Sequence, residues 1–128
     1  MRIDRTERGD VSVVAFEGDF DFHDVTSASD TIGAFVDEGV HRIVFDLKRL
    51  RFISSGGIGY FIQTAKRLKA LGGELVLASP PASFAWLFQS LGIDRVLKIF
   101  PGDEEAVGYF REPRRPAAPS GGPAQTSA

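Results

Sequence analysis

The sequence predicts one α/β domain on a mostly parallel central sheet of about five strands with four helices, in the order β-β-α-β-α-β-α-β-α. Three observations carry this. Short apolar, β-branched runs alternate with longer stretches whose apolar residues recur at helical spacing. Ile43, Val44 and Phe45 are apolar at successive positions, which suits a strand covered on both faces. Glycine follows three of the helical stretches, at Gly39, Gly72-Gly73 and Gly92, where a helix stop is needed.

Each element has its own signal. Arg2 to Thr6 is a short edge strand, and Arg8-Gly9-Asp10 is a turn. Val11 to Phe16 is apolar and β-branched, a strand, and Gly18 to Asp24 is a loop. The first helix runs from about Val25 to Asp37, with Val25, Ala28, Ile32, Phe35 and Val36 on one face and Asp24 as its cap. Arg42 to Leu47 is the next strand. The second helix runs from about Gly56 to Leu71, with Ile58, Phe61, Ile62, Ala65 and Leu68 inward. Glu74 to Ala78 is a strand. Pro81 then sits near the first turn of a third helix, Ala82 to Leu91. On that helix Phe84, Leu87, Phe88 and Leu91 share the core face. Trp86 falls off it and is a candidate contact residue. Val96 to Phe100 is the last strand. Asp103 to Phe110 is a short helix whose acidic start agrees with the helix dipole.

Composition narrows the function classes. A hydrophobic content of 43% with 11 phenylalanines supports a packed core within 128 residues. The absence of cysteine excludes disulfides, thiol nucleophiles and thiolate metal sites. Met1 to Asp10 is charged and lacks a secretory signal, and no apolar run approaches the roughly 18 residues of a membrane span. A cytoplasmic protein without membrane insertion is expected. The net charge is -2, but Arg111, Arg114 and Arg115 against Glu112 leave the final segment basic and the rest mildly acidic. A mildly acidic domain argues against a nucleic-acid partner, which requires a basic stripe. Residues 1–110 therefore form the expected domain. Residues 111–128, rich in Pro, Arg and Gly, form an expected disordered tail.

The segment Phe52-Ile53-Ser54-Ser55-Gly56-Gly57-Ile58-Gly59 carries the chemistry. It lies where a strand hands over to a helix, so backbone N–H groups are open there and the dipole favours an anion. A serine in this place is a cap, a ligand or a phosphoacceptor. A nucleophilic role needs a base and an orienting group. The chain has only His23, in the loop before the first helix, and His41, which reads as a surface residue. G-x-S-x-G is absent, as are Gly-Lys-Ser/Thr and G-x-G-x-x-G, so neither a hydrolase elbow nor a nucleotide cofactor is expected. Asp19, Asp21 and Asp24 lack calcium-loop spacing, so no metal is expected. Asp46 ends a strand as a receiver phosphoacceptor does, but Glu17-Gly18 stands where that fold carries its acidic cluster. Lys48, Arg49 and Arg51 are a solvated loop, or a positive rim that draws an acidic partner.

Taken in order, Gly18-Asp19-Phe20-Asp21, Ile43-Val44-Phe45-Asp46-Leu47, Phe52 to Gly59, Gly72 to Leu77 and Phe84 to Ile93 resemble a STAS domain of the bacterial anti-sigma factor antagonist type, over about residues 1–110. That family carries D-S-S/T-G-L-G, with the serine after Asp phosphorylated. Aligning Gly57-Ile58-Gly59 with G-L-G places that serine at Ser55, with Ser54 in place of Asp and Gly56 in place of the second Ser/Thr. Asp21 matches the family's loop aspartate beside the phosphosite.

The resemblance implies a non-enzymatic partner switch. The unphosphorylated protein binds an anti-sigma factor that is also a GHKL-type serine kinase. Phosphorylation of Ser55, with Ser54 the runner-up acceptor, releases it, and a PP2C-type phosphatase resets it. The implied partner surface is Asp21, Ser54, Ser55, Gly56, Gly57 and Ile58. Two other classes are a STAS scaffold subunit of a transport or signalling complex, in which Ser55 only caps a helix, and a small hydrolase using Ser55 and His23.

Overall fold

A computed structural model describes residues 1–111 of the chain. β1 (Arg2–Arg8) and β2 (Val11–Phe20) pair antiparallel around Gly9, whose φ of +67° selects glycine. A 3-10 turn, Phe22–Asp24, leads into α1 (Val25–Asp37). Next come β3 (Arg42–Ile53), α2 (Ser55–Ala70), β4 (Glu74–Ala78) and α3 (Ala82–Ser90). A second 3-10 turn (Ile93–Arg95), β5 (Ile99–Phe100) and α4 (Asp103–Arg111) complete the described chain. The sheet order is β1-β2-β3-β4-β5, with β2 through β5 parallel. This is the expected α/β class with its five strands and four helices. Of the tail expected over residues 111–128, Arg111 instead ends α4, and residues 112–128 lie outside the described residues.

Alternation along the strands sends side chains to two cores. Val14, Phe16, Ile43, Phe45 and Leu47 pack with Ala28 and Ile32 of α1, Phe61 and Leu68 of α2, and Phe88 of α3. Phe45 belongs to an aromatic cluster, 4.8 Å from Phe16 and 5.1 Å from Phe61 between ring centroids. The opposite face presents Val11, Val13, Val44, Val76 and Ala78 to Ala106, Val107 and Phe110 of α4. This double cover explains why Ile43 to Phe45 is continuously apolar.

Several elements differ from their sequence signals. β2 and β3 run past Phe16 and Leu47 as a parallel ladder from Glu17↔Arg49 to Phe20↔Ile53. Register shifts between Ala15 and Glu17 and between Gly18 and Asp19 break the two-residue alternation that would have marked this extension. Val96 is not in a strand. The second 3-10 turn occupies that stretch, leaving Val96 56% exposed and β5 only two residues long. Leu91 is not in the core either: α3 ends at Ser90, and Leu91 is 58% exposed in the turn after it.

The buried arc of α2 is also shifted. Phe61, Ala65 and Leu68 are buried as expected, Ile58 and Ile62 only half so, and Tyr60 and Thr64 are buried as well. Their polar atoms are satisfied inside: Tyr60 Oη donates to the Ala28 carbonyl at 3.3 Å, and Thr64 Oγ1 to the Tyr60 carbonyl at 2.8 Å. Burial pushes the Tyr60 phenol up from its ordinary range. His41 is half-buried at the start of β3. A Cβ on Gly73 would lie 1.9 Å from its carbonyl oxygen, so only glycine fits there.

Candidate functional site

The β2–β3 extension carries Phe20 and Ile53 to the start of α2, and Ser54 closes the gap. Its backbone is extended, its N–H donates to the Phe20 carbonyl at 2.9 Å, and its Oγ accepts the Gly57 N–H at 3.1 Å. Its carbonyl accepts the Ile58 N–H at 3.0 Å, the first helical bond of α2. Ser54 is therefore the N-cap of α2. Ser55 is the first helical residue. It is exposed, and its hydroxyl has no hydrogen-bond partner among the described residues. Of the two serines, the cap is Ser54, and Ser55 Oγ projects from the helix start uncommitted.

The glycines set how closely this helix start approaches its neighbours. A Cβ on Gly57 would meet Ile53 Cγ1 at 2.8 Å and Phe20 Cγ at 3.3 Å, so Gly57 lets α2 lie directly on the strand ends. A Cβ on Gly56 would stand 3.2 Å from the Phe22 ring. Gly57 is buried and Ile58 half-buried against the core, whereas Gly56 is partly exposed beneath Phe22.

The 3-10 turn before α1 forms the opposite wall. Asp21 caps it, its carboxylate accepting the Phe22 N–H, while the Asp24 carboxylate accepts the Asp21 N–H at 2.9 Å. Asp24 is thus used in this reciprocal box and makes no side-chain cap bond to α1, contrary to the sequence expectation. The box fixes Phe22 over Gly56 while leaving its ring 71% exposed. Phe22 was not singled out from sequence; its signal is an aromatic between charged loop residues. His23 lies edge-on to Phe22 at 6.1 Å, and no hydrogen bond joins it to either serine. The fold thus brings Asp21, Ser54, Ser55, Gly56, Gly57 and Ile58 to one end of the sheet, with Phe22 added.

The charges nearby are mostly paired. Arg51 Nε lies 3.6 Å from Asp19, and Lys48 Nζ 3.9 Å from Asp46. Exposed Arg49 is the least offset cation of the expected basic rim. Among the described residues, no three His, Cys, Asp or Glu side chains are grouped to hold a metal. A groove of about 310 Å³ between α1 and α2 is lined by Val25, Ser29, Ile32, Tyr60 and Arg67. It holds no convergent acid and base, since Arg67 is paired with Asp37 at 2.8 Å. No described helix is long and apolar enough to cross a membrane.

With that geometry in place, residues 2–106 match the family model of the STAS domain. The chain belongs to the STAS family. A candidate anti-sigma factor antagonist of Bordetella bronchiseptica, BtrV, is 34% identical over 80 residues, covering 62% of this chain and 69% of that protein. An anti-sigma F factor antagonist of Paenibacillus polymyxa is 25% identical over 84% of this chain and 92% of its own length. Among solved structures, the Bacillus cell fate determinant SpoIIAA in its phosphorylated form superposes with a TM-score of 0.69. It is 24% identical, over 86% of this chain and all of that one. The STAS fold is therefore the scaffold on which the Ser55 ledge sits.

Proposed function

We propose that the protein is an anti-sigma factor antagonist that works by partner switching, with Ser55 as phosphoacceptor. In this reading it is a cytoplasmic regulator without enzymatic activity of its own. The unphosphorylated protein docks its α2 start on an anti-sigma factor that is also a GHKL-type serine kinase, through Asp21, Ser54, Ser55, Gly56 and Ile58. Gly57 contributes by holding α2 close to the sheet. A PP2C-type phosphatase restores the docking-competent form. The names of the curated relatives support the general role.

The observation that carries the assignment to Ser55 is the division of labour at the helix start. Ser54 Oγ is committed to the cap, and Ser55 Oγ is exposed and uncommitted. A phosphate on Ser55 would sit at the positive end of the α2 dipole, near helix N–H groups that lack intrahelical acceptors, so the fold tolerates it. A partner packed on the same ledge would instead face a new dianion. That would weaken the complex on the order of 3–5 kcal/mol, the scale of an unpaired buried charge. The scaffold alternative drew on Ser55 as the cap; with Ser54 in that role, this support is gone.

The test is incubation with the cognate kinase and ATP, followed by peptide mass spectrometry. Phosphate on Ser55 is expected; no modification, or modification of Ser54 alone, rejects the assignment. Ser55→Asp should lower kinase affinity in calorimetry while leaving the melting temperature near that of the unmodified protein. Unchanged affinity counts against the switch.

A further inference from the structure

Away from the serine ledge, α3 is out of keeping with its surroundings. Between Glu74 and Asp94 the chain carries no charged residue. α3 lies within that stretch, yet of its nine residues only Phe88 is buried. A helix without a charged face is ordinarily covered on most sides. Trp86, the single tryptophan of the chain, is instead 68% exposed.

A lone exposed aromatic needs no explanation, but Trp86 has a groove beside it. Ala85 and Gln89, four apart on α3 and one row round from Trp86, form one wall. Asp94, Lys98, Ile99 and Phe100 form the other. The groove holds about 420 Å³, within the range of pockets that receive a small molecule or a large side chain. It opens along a free sheet edge, since β5 is the last strand. The Lys98 and Phe100 carbonyls accept the Leu77 and Ser79 N–H groups at 2.9 and 3.0 Å. Carbonyls alternate in direction along a strand, so the Ile99 N–H and carbonyl face outward, with no further strand to meet them.

We propose that a second copy of this chain covers the groove across a two-fold axis, with Trp86 of each copy seated in the groove of the other. Three observations favour a copy over a different protein. Knob and hole lie side by side on one helix, as a self-complementary two-fold contact requires. The two charges bordering the groove are one acid, Asp94, and one base, Lys98. Neither forms an ion pair among the described residues; Lys98 Nζ only stands 5.7 Å from the Tyr109 ring. A two-fold axis sets opposite signs against each other, whereas a strongly acidic or basic partner would be repelled by one of them. The same axis runs the two β5 edges antiparallel, so that Ile99 and the partner's Ile99 exchange their outward backbone bonds. Two indoles, each burying about 150–250 Å², form the apolar centre. Depletion of charge around an aromatic is the composition of an interface core. The groove shares no residue with the Ser55 ledge, so pairing leaves both ledges open.

Because Trp86 is the only tryptophan, its fluorescence reports this contact alone. Sedimentation of the full chain, at concentrations up to about 1 mM, should show the mass rising from 13.9 kDa toward twice that value. Over the same range the indole emission should shift to the blue. Trp86→Ala should weaken self-association at least about tenfold and leave the melting temperature of the monomer near that of the parent chain. Asp94→Lys should weaken it too, and adding Lys98→Asp should restore it. A chain that stays at 13.9 kDa throughout, a dimer with unshifted emission, or a dimer that survives Trp86→Ala would each overturn the self-contact. So would a dimer indifferent to Asp94→Lys, or a charge swap that fails to restore it. An emission shift that needs an added protein, while the chain alone stays monomeric, would give this face to a different partner and overturn it as well.

Discussion

Replacing Ser54 with alanine removes the oxygen that accepts the Gly57 N–H and should destabilise the protein by about 1 kcal/mol. Replacing Ser55 with alanine removes an exposed hydroxyl without a partner and should leave thermal stability within about 0.5 kcal/mol. Paired thermal melts check the contrast, and equal losses would show that the cap is shared. The glycine two residues on is more demanding. Gly57→Ala drives a methyl to 2.8 Å from Ile53 Cγ1, inside a packed contact rather than beside a mobile tip. A loss of about 1–3 kcal/mol in denaturant unfolding is expected, from overpacking alone. Both effects act through the fold, whereas Ser55 acts through what the fold presents.

At the scale of elements, the ledge is built by the long β2–β3 ladder and the 3-10 turn beside it. Phe22 is fixed by the Asp21–Asp24 box yet remains 71% exposed, an unusual position for a phenylalanine with no core to fill. Phe22→Ala should therefore change the melting temperature little and lower affinity for the kinase partner at least tenfold, as truncation of an aromatic anchor does. Calorimetric titration of the variant reads both affinity and fold integrity, and unchanged affinity removes Phe22 from the interface. The same elements show why parts of the site were hidden in the sequence. The bulges at Ala15/Glu17 and Gly18/Asp19 disrupt alternation, so the strand extension reads as loop. Asp24 has the composition of a helix cap, but its carboxylate finds the Asp21 N–H first.

At the scale of the molecule, stability is concentrated in the aromatic centre shared by β2, β3 and α2. Phe45 is fully buried between Phe16 and Phe61, and Phe45→Ala should cost about 3–5 kcal/mol in equilibrium unfolding. A loss below about 1 kcal/mol would mean that the centre repacks. Sequence alone determined the α/β class, the order of elements, the helix stops at Gly39, Gly72 and Gly92, and the location of the serine segment at a strand-to-helix junction. These follow from periodicity and backbone preference, which are local and leave their mark within a few residues. Which serine caps α2 and that Phe22 stands beside it were decided only by tertiary structure. Each depends on residues distant in sequence meeting at one point: Phe20 with Ser54, Phe22 with Gly56. No local pattern records which hydroxyl is turned toward the Gly57 N–H.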